Sequence, residues 1–380
     1  MKINFKFLFL FFASISLFCF AGNALLPSDT KNNTAASTDI QAAKAQTKID
    51  SIINDALKKH VFPGCQVVVW KEGKVFLNKS YGYFTYENKQ PINDSTMYDL
   101  ASLSKTTGTL LAIMKLYDEG KIKLTDKASD YLPFLKRTDK ENITITDLLF
   151  HETGLKGSMF FYKSMYEKNN GLLLEMNAAK LSNPAYKYKE GLTSKFRTQD
   201  FNIQVSDSLF LHKSFHETAM RKIALSRLGA KTYLYSCVNF ILLKEIAETV
   251  SGQSMDEFLN ENFYQPMGLR HMAYLPLRTH YKSEITPTIK KDFLRNGLLQ
   301  GYVHDPDAGF LGGVSGNAGL FANAHDVAMV YQMLLDSGTV NGTQYLSAET
   351  CKLFTTKTSA SGRRGLGFDK PVPSQPNINP

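Results

Sequence analysis

The apolar positions of this chain follow two rhythms, one helical and one alternating. Residues 46–60 put Ile49, Ile52, Ile53, Ala56 and Leu57 on one face, which predicts an amphipathic helix that Pro63-Gly64 stops. Two apolar runs follow, Cys65–Trp70 and Val75–Gly82, joined by the polar turn Lys71-Glu72-Gly73-Lys74, and they read as a β-hairpin. From residue 103 the helical rhythm returns, with Leu110, Ile113, Met114 and Tyr117 on one face and Gly120 at the C-terminal cap. Thr146 opens a further helix that closes at Gly154, residues 238–250 read as a buried helix closed by Ser251-Gly252, and residues 325–336 as another. Between them, 156–230 is weakly patterned and rich in Lys, Asn and Ser, so long, partly helical loops are expected there. Residues 309–321 are dense in glycine, which implies close backbone approach.

The two ends differ from the middle. Lys2 and Lys6 precede an apolar run of 14 residues, Phe7–Phe20, and Ala21, Gly22 and Ala24 follow. That is the pattern of a secretory signal peptide over 1–24, since the run is shorter than the ~20 residues a membrane-crossing helix needs. No later segment is apolar enough to span, so no membrane span is expected after cleavage and the protein is expected to be exported, periplasmic or extracellular. Residues 25–45 read as a linker and 46–370 as the folded domain. The Pro/Asn/Ser-rich 371–380 reads as an irregular tail.

Composition narrows the function classes. The chain has 380 residues, enough for a sizeable core, and 43% of them are hydrophobic. It carries 44 basic and 35 acidic residues, net +9, but the basic residues are scattered and no aromatic-basic motif appears, which argues against nucleic acid as a partner. Past the leader the cysteines are Cys65, Cys237 and Cys351, an odd number that makes no complete disulfide framework and no zinc motif. His212 and His216 are spaced i, i+4 without a H-E-x-x-H pattern or a third ligand, so no metal and no cofactor is expected. P-loop, dinucleotide and G-x-S-x-G patterns are all missing.

One cluster carries chemistry. In Asp99-Leu100-Ala101-Ser102-Leu103-Ser104-Lys105, strand-like sequence gives way to a helix. A serine at a helix start sits among unsatisfied N–H groups at the positive dipole end, where an oxyanion is stabilised. Ser102 and Lys105, at i and i+3, share a face, and a partly desolvated lysine can take the hydroxyl proton. The bland alternative is a capping serine and a solvent-facing lysine. Small uncharged neighbours, Ala101, Thr106, Thr107 and Gly108, favour a packed helix start instead. Tyr235-Ser236-Cys237, just ahead of the helix at 238, offers a phenol as proton shuttle.

DLASLSK, KLTD, YLP, ITITDLLFHETGL, YLYSCVNFILL, FYQPMGL, VHDPDA and GGVSGNAGLFANAHDVAMVYQMLL, in that order, resemble the serine β-lactamase-related family: class C β-lactamases, D-alanyl-D-alanine carboxypeptidases and certain esterases. The resemblance implies a β-lactamase/transpeptidase-like fold of the α/β (α+β) class, an antiparallel sheet flanked by helices plus a mostly helical region. Ser102 matches the acylated nucleophile, Lys105 the general base and Tyr235 the proton-shuttling tyrosine. His151, in the HETGL stretch, is expected to be structural. Cys237 stands where the family has Asn or Asp and is expected to touch substrate, more weakly than an amide would. Gly365-Leu366-Gly367-Phe368 is present, yet no Lys-Thr-Gly or His-x-Gly follows before Pro380, so an incomplete C-terminus lacking strands of the sheet is expected, and Asn317 is not taken as that third motif. The implied function is a serine hydrolase acting on an amide, β-lactam or ester, with a small molecule or peptidoglycan peptide as substrate. The alternatives are an inactive ligand-binding remnant and a carboxylesterase of the same family.

Overall fold

The computed structural model describes residues 30–71, 73–87, 89–166, 188–292, 294–295, 297–360, 362 and 364–370, with side chains from residue 43 onward. The expected leader (1–24) and tail (371–380) lie outside the described residues. The chain divides into a first unit, Met1–Ile52, and a second, Ile53–Pro380. Helix α1 runs Thr30–Lys58, so the expected linker is helical from Thr30 onward. Ala35, Ala36, Ala42, Ala43 and Ala45 explain the difference, because alanine has the highest intrinsic helix propensity. No helix among the described residues is long and apolar enough to cross a membrane.

Strands β1 (Gly64–Lys71) and β2 (Lys74–Gly82) form the expected antiparallel hairpin, with a register slip at Val69/Trp70. Among the described residues β1 pairs with β2 alone. Beside its other edge lies an apolar groove of about 570 Å³ lined in part by Val67, Val68, Leu100, Leu103 and Tyr331. After β3 (Tyr98–Asp99) the chain makes a 3₁₀ turn at Ala101–Leu103, then a π turn at Lys105–Thr109, and only then α2 (Leu110–Asp118). The sequence suggested one apolar face for this helix. Instead Leu110, Leu111, Ala112, Ile113, Met114 and Leu116 are all fully buried, as in a helix enclosed on every side.

Helix α3 (Ala128–Tyr131) leads to α4 (Ile145–Phe150). The N-cap of α4 is Thr144, not Thr146: its hydroxyl accepts from Asp147 N and its amide donates to the Asp147 carboxylate, a reciprocal box. The helix ends at His151, whose φ is +57°, ahead of the expected Gly154. Within the weakly patterned region, 167–187 lies outside the described residues, but the rest is more ordered than expected. Strands β4 (Thr193–Ser194), β5 (Phe201–Ser206) and β6 (Leu209–His212) make an antiparallel sheet in the order β4-β6-β5, and α5 (Phe215–Leu225) follows. The strands are short and only half-buried, so their alternation is faint in the sequence.

Helix α6 (Cys237–Ser251) is the second enclosed helix; Phe240, Leu242, Leu243 and Ile246 are fully buried, and Gly252 caps it as expected. Then come α7 (Met255–Leu259), β7 (Met272–Tyr274), the β8 (Pro287–Asp292) and β9 (Gly297–Gln300) hairpin, α8 (Pro306–Phe310), β10 (Leu320–Ala322), α9 (Ala324–Leu335), the β11 (Thr339–Val340) and β12 (Thr343–Gln344) hairpin, and α10 (Ala348–Thr356). The sheet β3-β10-β7 places the site. Strand β10 is central and fully buried, so it brings the glycine-rich loop that precedes it against the turn that follows β3. The loop fits only because of its glycines. A Cβ on Gly316 would stand 1.8 Å from Phe240 O, and one on Gly319 (φ +117°) would stand 2.1 Å from Gly313 O.

Candidate active site

Ser102 lies in the 3₁₀ turn and is exposed, while Lys105 opens the π turn and is 3% exposed. The turn is pinned from several directions. Ala101 N donates to Asp99 Oδ1 (2.9 Å), Leu100 N donates to Leu320 O (3.0 Å), and Ser104 Oγ accepts from Leu320 N (3.0 Å). Ala101 adopts φ +46°, a left-handed conformation that costs a residue with a Cβ about 1 kcal/mol, and it turns the chain just before Ser102.

Lys105 Nζ is 3.1 Å from Ser102 Oγ, 2.9 Å from Asn317 O and 3.5 Å from Cys237 Sγ. It lies 5.1 Å from the centroid of the Tyr235 ring and 5.9 Å from that of Phe240. Among the described residues its hydrogen-bond partners are thus a hydroxyl, a carbonyl and a thiol, with no carboxylate. The four residues singled out from sequence, Ser102, Lys105, Tyr235 and Cys237, stand together. Tyr235 is 41% exposed, and burial, as the largest influence, holds the Cys237 thiol above its ordinary range. Cys65, Cys237 and Cys351 are free thiols.

Two supports were not singled out as site residues. The first is His151, fully buried beneath Tyr235, with ring centroids 4.8 Å apart. Its Nδ1 accepts from Ser236 N (3.1 Å) and pairs with Asn239 Nδ2 (3.1 Å), and its carbonyl accepts from Leu234 N (2.9 Å). His151 therefore holds the backbone on both sides of Tyr235. Burial, then the charges of Arg364 and Lys105, pull its pKa down to about 3. The ring is neutral, and since Nδ1 accepts, its proton sits on Nε2, which has no partner among the described residues. The HETGL match marked His151 as structural, and its contacts show what it supports.

Asn317 is the second. Its carbonyl accepts from Lys105, its Oδ1 accepts from Ser315 Oγ (2.8 Å), and its Nδ2 donates to Asp305 Oδ1 (3.0 Å). Asp305 also caps α8 through Ala308 N. The sequence offered little sign of this role, because a backbone carbonyl makes the key contact. In Gly365–Phe368, Gly367 N donates to Leu149 O of α4. His212 Nδ1 pairs with Ser214 Oγ and His216 Nε2 with Glu245 Oε1, and neither bonds to Lys105 among the described residues.

The chain is 29% identical to an N-acetylmuramyl-L-alanine amidase of Bacillus subtilis, over 96% of this chain and 80% of that protein. It is 28% identical to a putative D-alanyl-D-alanine carboxypeptidase of Escherichia coli K12, over 81% of this chain and 68% of that one. A solved class C β-lactamase superposes with a TM-score of 0.59 at 17% identity, covering 86% of this chain and 74% of its own; that likeness is one of fold. The sequence model of the Beta-lactamase family matches residues 49–377, and the chain belongs to that family of serine hydrolases.

Proposed function

We propose that this protein is a serine hydrolase that forms an acyl-enzyme on Ser102. The observation that carries the reading is the 3.1 Å contact between Ser102 Oγ and the buried, carboxylate-free Lys105 Nζ. In the proposed cycle Ser102 Oγ attacks an ester or amide carbonyl and its proton passes to Lys105 Nζ. The oxyanion that forms faces the N–H groups of the turn at Ser102. As the tetrahedral intermediate collapses, Tyr235 hands its proton to the leaving group and takes back the one held by Lys105. Water then attacks the acyl-Ser102 ester, giving a proton to Lys105, and that proton returns to Ser102 Oγ as the acid leaves. No metal or cofactor takes part.

Cys237 inclines the reading toward esters. Its Sγ is a weak hydrogen-bond partner, where recognition of a substrate amide calls for a strong one. The amidase and carboxypeptidase names of the relatives support peptidoglycan peptides as the other substrate class. The pattern of the first 24 residues supports export to that compartment.

The test is covalent labelling with a fluorophosphonate and a fluorescent penicillin. Labelling of wild type and loss in Ser102→Ala is the expected result, and folded wild-type protein that takes no label overturns the proposal. Turnover of nitrocefin, a p-nitrophenyl ester and a D-Ala-D-Ala peptide then ranks the substrate classes.

A further inference from the structure

The two reacting groups of the proposed cycle have unequal surroundings. Lys105 is enclosed, whereas Ser102 lies on an exposed turn of three residues, and its hydroxyl meets the amine only while that turn keeps its place. The turn is also strained, since Ala101, just before Ser102, adopts φ +46°. Such strain persists only where the surroundings over-determine it.

The carboxylate of Asp99 supplies the restraint. Its Oδ1 accepts from Ala101 N (2.9 Å), closing the left-handed residue into an Asx turn, and its Oδ2 accepts from His304 N (2.7 Å). One side chain thus ties the nucleophile's turn to a loop 205 residues further along the chain. That loop is itself anchored. Buried Arg295, between β8 and β9, donates through Nη2 to Val303 O and to His304 O (3.2 Å), and through Nη1 to Asp292 Oδ2 (3.4 Å). The next residue, Asp305, accepts from Asn317 Nδ2, and Asn317 O accepts from Lys105 Nζ. Residues 303–305 therefore hold the hydroxyl side through Asp99 and meet the amine side through Asn317, so both reacting groups are referred to one loop.

The clamp calls for a carboxylate. Two backbone donors arrive from different segments, one at each oxygen, and an amide at position 99 would offer one acceptor oxygen instead of two. Burial, as the largest influence, holds the Asp99 pKa above the ordinary range; the His304 and Ala101 N–H groups pull it back, and the Asp305 charge pushes it up. An anion kept in such a place, with no lysine or arginine bonded to it among the described residues, marks a functional position.

We infer that Asp99 is a positioning residue of acyl transfer, which clamps the Ser102 turn to residues 303–305 and so sets the spacing between Ser102 Oγ and Lys105 Nζ. The inference rests on the acyl-transfer reading for its reaction and on the clamp for its geometry.

The isosteric Asp99→Asn tests it by removing one of the two acceptors. In protein shown to be folded by circular dichroism, fluorophosphonate labelling of Ser102 should slow about 30-fold, because a misplacement of ~1 Å between reacting groups costs about 10² in rate. With a p-nitrophenyl ester, kcat should fall by a similar factor while KM stays within about twofold, as for an interaction felt only in the transition state. The same substitution in a Lys105→Ala background should cost less than about twofold, because the spacing it disturbs no longer matters there. Unchanged labelling, a raised KM with kcat intact, or an undiminished loss in the Lys105→Ala background overturns the inference. Should Asp99→Asn not fold, Asp99→Glu carries the carboxylate one methylene further and should still slow labelling several-fold. Amide hydrogen exchange reads the clamp without turnover. Residues 100–104 and 302–305 should both exchange about tenfold faster in Asp99→Asn, while α6 exchanges as before. Wild type that takes no label but shows this exchange pattern counts against acyl transfer and leaves the clamp standing. Exchange unmoved in both segments overturns the clamp.

Discussion

Lys105 and Tyr235 face each other across 5.1 Å, yet the protein holds them by different means. Lys105 belongs to the core side. It is enclosed at the head of α2, and its amine is fixed by a carbonyl from a loop more than 200 residues away in sequence. Tyr235 belongs to the water side. Tyr235 is 41% exposed, and its position is set by bonds from the residues before and after it to one buried histidine, from Leu234 N to the backbone carbonyl and from Ser236 N to the imidazole. The amine is therefore placed by packing, which resists local change. The phenol is placed by a short chain of hydrogen bonds, which one substitution can cut.

The sharpest test of the core side is Lys105→Arg. Arginine keeps the charge but cannot give up its proton, so the rate of fluorophosphonate labelling should fall about 10³-fold, as it should for Lys105→Ala. An arginine variant that labels at the wild-type rate would mean that the amine supplies only charge. Next in size is Gly316→Ala. Its Cβ would collide with Phe240 O, and urea unfolding should show a loss of about 3 kcal/mol together with slower labelling, because the loop carrying Asn317 must shift.

On the water side, His151→Ala should cost about 1–3 kcal/mol in urea, because Ser236 N and Asn239 Nδ2 lose their acceptor in a buried place. It should lower kcat about tenfold with little change in the labelling of Ser102, the step that needs Lys105 most. Equal losses in both readouts would erase the distinction between the two sides. Acidification probes the same residue. The folded pKa of His151 is about 3, below the ordinary 6.5, so the unfolded chain binds the proton first. That contribution to stability is complete above pH 6.5 and drains away as the pH falls toward 3. A folded His151→Phe variant should show a flatter pH profile across that window. Smallest is Ala101→Gly, which relieves the left-handed backbone and should raise stability by about 0.5 kcal/mol in thermal unfolding.

Much of this was legible in the residues themselves. The β1–β2 hairpin, the enclosed helix α6 and the glycine-rich loop follow from alternation, from an unbroken apolar run and from glycine density. That Ser102 and Lys105 are neighbours was legible from their i, i+3 spacing, whereas Tyr235 and Cys237 were drawn to them by the family resemblance. Other features escaped for physical reasons. The π turn at Lys105–Thr109 shifts the start of α2, and no residue type announces such a turn. The small sheet β4-β6-β5 has half-buried strands whose apolar signal is weak. Asn317 acts on Lys105 through its backbone, which every residue possesses.

The open side of β1 has a practical consequence. Between Gly64 and Lys71 the strand offers amide and carbonyl groups that no other described strand takes up, beside a groove of valine, leucine and tyrosine. Such an edge is a template for intermolecular pairing. Concentrated solutions should therefore scatter light increasingly with time, and kinetic work on this protein belongs at high dilution, with monomer content checked before each rate is read.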